Sequence, residues 1–166
     1  MITRSQRRVS AARLRRVAEE LLEASTLCAI STVSPRGRAH ANTAYFAWAP
    51  DLRIVWVSEP RAQHSRNLRA NPSAAVAVYD SSQTWGKPDR GIQLFGTARP
   101  GAGDAVYAAR FPEYDGFKAY RAYELVPARV KLFDERALGE ATFVTAQVGR
   151  DGGLTWERTE IYDARF

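Results

Sequence analysis

The stretch Val57–Pro72 reads VSEPRAQHSRNLRANP. Its residue types suit the binding of an anion. An apolar run ends at Ser58, and Arg61, Gln63, His64, Ser65, Arg66 and Arg69 follow within eleven positions. The spacing predicts a short helix over Gln63–Ala70, stopped by Asn71-Pro72, because proline disfavours a helical conformation at the residue before it. Leu68 is the apolar anchor of that helix. His64, Ser65 and Arg61 lie four, three and seven residues before it, so they share its side, while Arg66 and Arg69 turn away. A helix N-terminus presents unpaired N–H groups and partial positive charge. With Arg61, His64 and Ser65 beside it, this arrangement makes a phosphate-sized anion site at the end of a strand. A solvated basic helix is the other reading that the spacing allows.

No second chemical constellation stands out. His40 and His64 fall on different elements, and no Cys or carboxylate lies at metal-ligand spacing, so no metal site is expected. There is no nucleophile elbow and no glycine-rich phosphate loop. A chain without proton-transfer or metal machinery would, as an enzyme, take its chemistry from a bound cofactor.

The elements that must position these residues follow from periodicity. Ser10 is placed to cap a helix running to about Ala24, with Leu14, Val17, Ala18 and Leu21 as its apolar stripe. The runs TLCAISTV, AHANTAYFAW and RIVWVS, separated by SPRGR and APDL, read as an antiparallel meander. In its second strand Asn42, Ala44, Phe46 and Trp48 share one face, and Thr43 and Tyr45 the other. A fourth strand, AAVAVYD, precedes a polar loop over 81–91. A fifth, IQLFGTAR, carries Gly96 as a candidate bulge. Asp104 is expected to cap a helix through about Arg110, and a second short helix is expected over Phe117–Ala122. ARVKLFDE, ATFVTAQV and LTWERTEIY complete the strands. Hairpin connections predict a mainly β antiparallel barrel with helices outside, and they disfavour a parallel βαβ fold.

The 166 residues suit one domain over 1–166, with an N-terminal helix within 1–24. The net charge of +6 comes from arginines spread along the chain, which fits a solvated surface better than a nucleic-acid interface. No apolar run approaches the roughly 20 residues that span a bilayer, and no secretory signal is visible. The lone Cys28 excludes an internal disulfide, reads as an inert core residue, and sets a cytoplasmic location as the expectation.

In order and content these motifs resemble the pyridoxamine 5'-phosphate oxidase-like FMN-binding split-barrel family. LCAISTVSPRGRAHANTAYFAW corresponds to the first hairpin. RIVWVSEPRAQHSRNLRANPSAAVAVYD matches the strand, phosphate-binding helix and strand, and RGIQLFGTAR the strand after the long loop. The resemblance implies a homodimeric flavoprotein oxidoreductase acting on a small molecule, with FMN in a cleft between subunits. By position, Asn42 and Thr43 would line the flavin ring, and Val57 and Ser58 the ribityl side. Arg61, Gln63, His64 and Ser65 would hold the phosphate. Gln93 would reach in from the partner subunit, with Trp85 and Lys87 of the long loop approaching the same cleft. No catalytic residue is implied. Two departures matter. The family's oxidases carry an Arg-Lys pair where Gln63 and His64 stand, and Lys131 and Phe133 replace their C-terminal Arg-x-His pair. Oxidation of pyridoxamine 5'-phosphate itself is therefore not expected. A deazaflavin coenzyme in the same fold is an alternative, as is a non-enzymatic flavin- or haem-binding role, with His40 or His64 as axial ligand.

Overall fold

A computed structural model describes residues 1–116 and 118–163. The strands are β1 (Ile2–Ser5), β2 (Leu27–Val33), β3 (Ala39–Tyr45), β4 (Ala47–Trp48), β5 (Ile54–Ser58), β6 (Ser73–Tyr79), β7 (Arg90–Pro100), β8 (Arg121–Asp134), β9 (Thr142–Val148) and β10 (Leu154–Tyr162). The helices are α1 (Ala11–Glu23), α2 (Gln63–Ala70), α3 (Asp104–Arg110) and α4 (Glu135–Leu138). Every strand pairing is antiparallel, in the order β1-β10-β9-β8-β7-β6-β2-β3, with β5 pairing both β4 and the start of β8. The sheet curls without closing. This is the expected mainly β split barrel with peripheral helices. Its core is filled by Ile30, Ile54, Val76, Ile92, Leu94, Leu125, Leu132 and Val144 from alternating strand positions.

The split has a local cause. Ala47 and Trp48 pair with Val55 and Ile54, closing the tight turn at Ala49–Arg53. One residue earlier the ladder fails. Phe46 keeps to the inward face of His40, Asn42 and Ala44 and lies fully in the core, its N–H donating to the Thr26 carbonyl, and the alternation breaks at the next residue, the buried Ala47. Beyond it β3 follows β2 and β5 follows β8, so the facing edges at Asn42–Tyr45 and Trp56–Ser58 have no ladder partner among the described residues. Phe46 nevertheless stays on the inward side with Asn42, Ala44 and Trp48, as the sequence suggests, and Ala44 and Trp48 pack against the same core.

Other expectations are met or corrected locally. Ser10 caps α1 by accepting the Arg13 N–H, and Leu14, Val17, Ala18 and Leu21 are buried. The register between β7 and β8 slips between Phe95 and Gly96, where a Cβ on Gly96 would lie 2.0 Å from the Val126 carbonyl oxygen. The bulge needs glycine for that close approach. The chain opens with strand β1 on β10 before α1 begins, an element the N-terminal reading lacks. Arg90 and Gly91, expected at the end of the loop, already belong to β7. The residue capping α3 is Gly103, and Asp104 is the first helical residue. The helix expected over Phe117–Ala122 is not formed. Lys118 to Tyr120 are turn and coil, and Arg121 and Ala122 open β8, while Phe117 lies outside the described residues. Pairing on both sides, with β5 and β7, and the stacking of Tyr123 on Trp56 override the local helical preference. No helix among the described residues is long and apolar enough to cross a membrane.

Candidate functional site

The diverging edges of β3 and β5 form the walls of a cleft of about 300 Å³. Asn42, Thr43, Ala44 and Tyr45 line it from β3, and Trp56, Val57 and Ser58 from β5. His64 of α2, Tyr107 of α3 and Tyr120 complete it. Of the residues singled out in the sequence, Asn42, Thr43, Val57, Ser58 and His64 thus meet in one place. Unpaired strand edges give such a wall backbone donors and acceptors as well as side chains.

The α2 end of the cleft is polar and buried. α2 runs from Gln63 to Ala70, the limits its spacing predicts. His64, Ser65, Asn67 and Leu68 are buried, whereas Arg61, Gln63, Arg66 and Arg69 are exposed. The inner set expected from spacing is thus His64 and Ser65. Arg61 stands before the first turn, too early to follow the helical face, and makes no hydrogen bond or ion pair among the described residues.

His64 Nε2 and the Ser58 hydroxyl lie 2.8 Å apart and share a hydrogen bond. The ring of His40 stacks 6.4 Å from that of His64. Burial, and secondarily the nearby His40, lower the pKa of His64, so its imidazole is biased toward the neutral form. The outer cations are occupied: Arg66 donates to Gln63 Oε1 and Arg69 to the Pro60 carbonyl. Gln63 donates to Asn67 Oδ1, and Asn67 donates to the Thr32 hydroxyl in a buried bond that ties α2 to β2. Asn67 was missed in the sequence. Its place beside Leu68, three residues after His64, is the signal that could have found it.

Among the described residues, Trp56 Nε1 of the cleft wall and Ser65 Oγ and His40 Nδ1 of the neighbouring elements are buried without a hydrogen-bond partner, as are Thr145 Oγ1 and Arg158 Nε at a separate hollow on the sheet. Orphans of this kind are rare in folded proteins.

The opposite end is aromatic. Tyr45, Tyr107 and Tyr120 line it, with Phe111 and Tyr114 behind. Tyr107 belongs to α3, whereas Phe111 is its C-terminal cap and Tyr114 lies beyond it in the following turn, so their clustering is not a helical face that spacing could reveal. Arg110 fixes α3 in place. Its guanidinium donates to the carbonyls of Leu22, Ser25 and Phe46 and packs 4.7 Å over the Phe46 ring.

The remaining candidates lie elsewhere in this chain. Gln93 faces out from β7 in a hollow with Phe95, Arg129, Lys131, Thr145 and Arg158. Lys87 lines another hollow with Tyr79, Asp80, Arg90 and Arg136, and Trp85 is 97% exposed. Cys28 is buried, which pushes its thiol pKa up to about 12 and leaves it inert. No cluster of three or more His, Cys, Asp or Glu side chains suited to a metal occurs among the described residues.

Comparison with known proteins bears on this geometry. The family model described as Pyridoxamine 5'-phosphate oxidase matches residues 14–134, well over half of the chain and all of the cleft. A pyridoxine/pyridoxamine 5'-phosphate oxidase of Rubrobacter xylanophilus is 28% identical over 114 residues, covering 67% of this chain and 50% of that protein. The chain therefore spans about half the length of that curated relative. Among solved structures, a heme-binding protein from Mycobacterium smegmatis superposes with a TM-score of 0.66 at 20% identity, covering 88% of this chain and 61% of that one. An F420 reductase superposes with a TM-score of 0.53 at 24% identity, covering 68% and 94%. At these identities the two structures speak to the fold.

Proposed function

This chain belongs to the pyridoxamine 5'-phosphate oxidase family, and from that premise we propose that it is an FMN-binding oxidoreductase whose substrate is not pyridoxamine 5'-phosphate. One observation carries the reading: two unpaired strand edges run into the start of α2, where the buried Ser65 hydroxyl has no partner. FMN has matching parts, a planar ring with hydrogen-bonding edges, a polyol and a phosphate. When bound it supplies hydride and single-electron transfer.

The chain's own residues position and hold. Asn42 and Thr43 on β3 and Val57 on β5 orient the ring through the free strand edges. Ser58, held by His64, meets the polyol. Ser65 and the first-turn N–H groups of α2 donate to the phosphate, Gln63 borders it, and Arg61 supplies the permanent charge. With His64 biased toward neutrality, Arg61 carries most of the electrostatic attraction. In the cytosolic homodimer that belongs to this reading, Gln93, Trp85 and Lys87 face the cleft of the neighbouring copy.

A second reading has its own support. His40 Nδ1 is buried without a partner beside the His64 ring, an arrangement that also suits an axial ligand to haem iron. Parallel titrations with FMN, the deazaflavin coenzyme F420 and haemin, followed by visible absorption, separate the readings. FMN bound most tightly is the expected result. A Soret band abolished by His40→Ala, without flavin uptake, replaces the flavin reading with the haem one, and preferential F420 binding replaces FMN with the deazaflavin.

A further inference from the structure

The aromatic end of the cleft is built as firmly as the polar end. Tyr107 is only 7% exposed. Its ring is held by Phe111 at 4.8 Å and edge-on by Tyr114 at 5.0 Å, and Phe111 meets Tyr45 edge-on at 5.9 Å. These rings rest on Ala47 and Val55. Gly103 permits the approach, since a Cβ there would lie 2.5 Å from Val55 Cγ1. Edge-to-face rings in mutual contact present a preorganised surface, with little freedom left to lose when a ligand arrives.

The charge around this wall is as distinctive as its rings. Among the described residues, no Arg, Lys, Asp or Glu side chain lines the cleft. The nearby arginines point elsewhere: Arg110 into the three carbonyls already described, and Arg121 onto the carbonyls of Lys118 and Tyr120. The carboxylates beside the wall are Asp104, which hydrogen-bonds Tyr114, and Asp115. Burial raises the pKa of Tyr107, so its hydroxyl remains a neutral donor. An anionic group here would find both nearby arginines already engaged and two carboxylates close by.

We infer that Tyr45, Tyr107 and Tyr120 form the substrate platform of this cleft, and that it takes a planar aromatic molecule bearing no negative charge. The inference rests on the FMN reading of the same cleft. The phosphate sits at the α2 end, leaving the aromatic wall for the substrate. A phosphorylated substrate, as the family's name implies, is the class this wall rejects.

The test titrates 2-naphthol and 2-naphthyl phosphate calorimetrically into FMN-saturated protein, after FMN uptake has been measured on the same preparation. The expected result is that 2-naphthol binds and 2-naphthyl phosphate binds about tenfold more weakly or worse. Tyr107→Ala weakens naphthol about tenfold and Tyr107→Phe spares it, as the loss of a ring contact predicts. Tyr120→Ala, at an exposed position, weakens naphthol about threefold. Equal or tighter binding of the phosphate, or naphthol binding indifferent to both alanine variants, overturns the inference. If FMN is not taken up, the flavin reading fails by itself. Naphthol titrated into the FMN-free protein then decides the platform: binding sensitive to Tyr107→Ala keeps it, and no binding removes it.

Discussion

α2 and α3 flank one cleft and hold their side chains by opposite means. At α2 the buried groups are polar, locked by the Gln63–Asn67–Thr32 chain, yet Ser65 and the Trp56 indole are left without partners. At α3 the buried groups are rings that satisfy one another. The difference separates an end with unpaired buried polar groups from one whose buried groups contact each other. A buried unpartnered hydroxyl carries a desolvation cost of about 1–3 kcal/mol that a bound acceptor or donor can recover. A ring cluster carries no such deficit, so it is ready before any ligand arrives.

The largest expected effect comes from cutting the tie that places α3. Arg110→Ala leaves three carbonyls without their donor and should cost about 3 kcal/mol, read as a shift in denaturant midpoint. If the two ends are independent, FMN affinity in this variant falls much less than naphthol affinity. A parallel loss of both would merge the two ends into one unit.

Arg61→Glu sharpens the contrast from the other side. Reversing the permanent cation at the start of α2 should weaken FMN about a hundredfold, measured by quenching of flavin fluorescence, while riboflavin is little affected. An unchanged FMN affinity would place the phosphate elsewhere.

Acid should act on the polar end through His64. Its ordinary pKa is 6.5, and burial lowers it in the folded chain. Below about pH 6.5 the unfolded chain takes up this proton before the folded one does. His64 therefore contributes stability that is full above that pH and lost as pH falls toward the depressed folded value, at no more than about 1.4 kcal/mol per pH unit. His64→Gln should flatten the slope of stability against pH between 6.5 and 5, and an unaltered slope would assign it to other groups.

The smallest effect has the most diagnostic sign. Ser65→Ala removes an orphaned hydroxyl, so the ligand-free protein should be unchanged or more stable by up to about 1 kcal/mol, while FMN binds about fivefold more weakly. A loss of stability without FMN would mean that the hydroxyl serves the fold.

Legibility in the sequence follows the same division. α2 was readable to the residue because its signals are local: an apolar anchor, helical spacing and a terminating Asn71-Pro72. The bulge at Gly96 and the strand Leu154–Tyr162 were equally local. The split itself was not, because AHANTAYFAW reads as one regular strand and only the change of pairing partner, from β2 for β3 to β5 for β4, reveals the break at Phe46. Nor was the aromatic wall, which draws Tyr45, Tyr107 and Tyr120 from three separate parts of the chain. Arg61 was grouped with His64 and Ser65 by a helical period that does not extend before the helix begins.

The central claim is that this cleft binds a flavin by its phosphate at the start of α2. Titrating the wild-type protein with FMN and with riboflavin under one buffer tests it directly. The account predicts FMN binding with quenched fluorescence, at least about tenfold tighter than riboflavin, the margin a charge-assisted phosphate contact provides. Equal affinity for the two, or no binding of either, would contradict it.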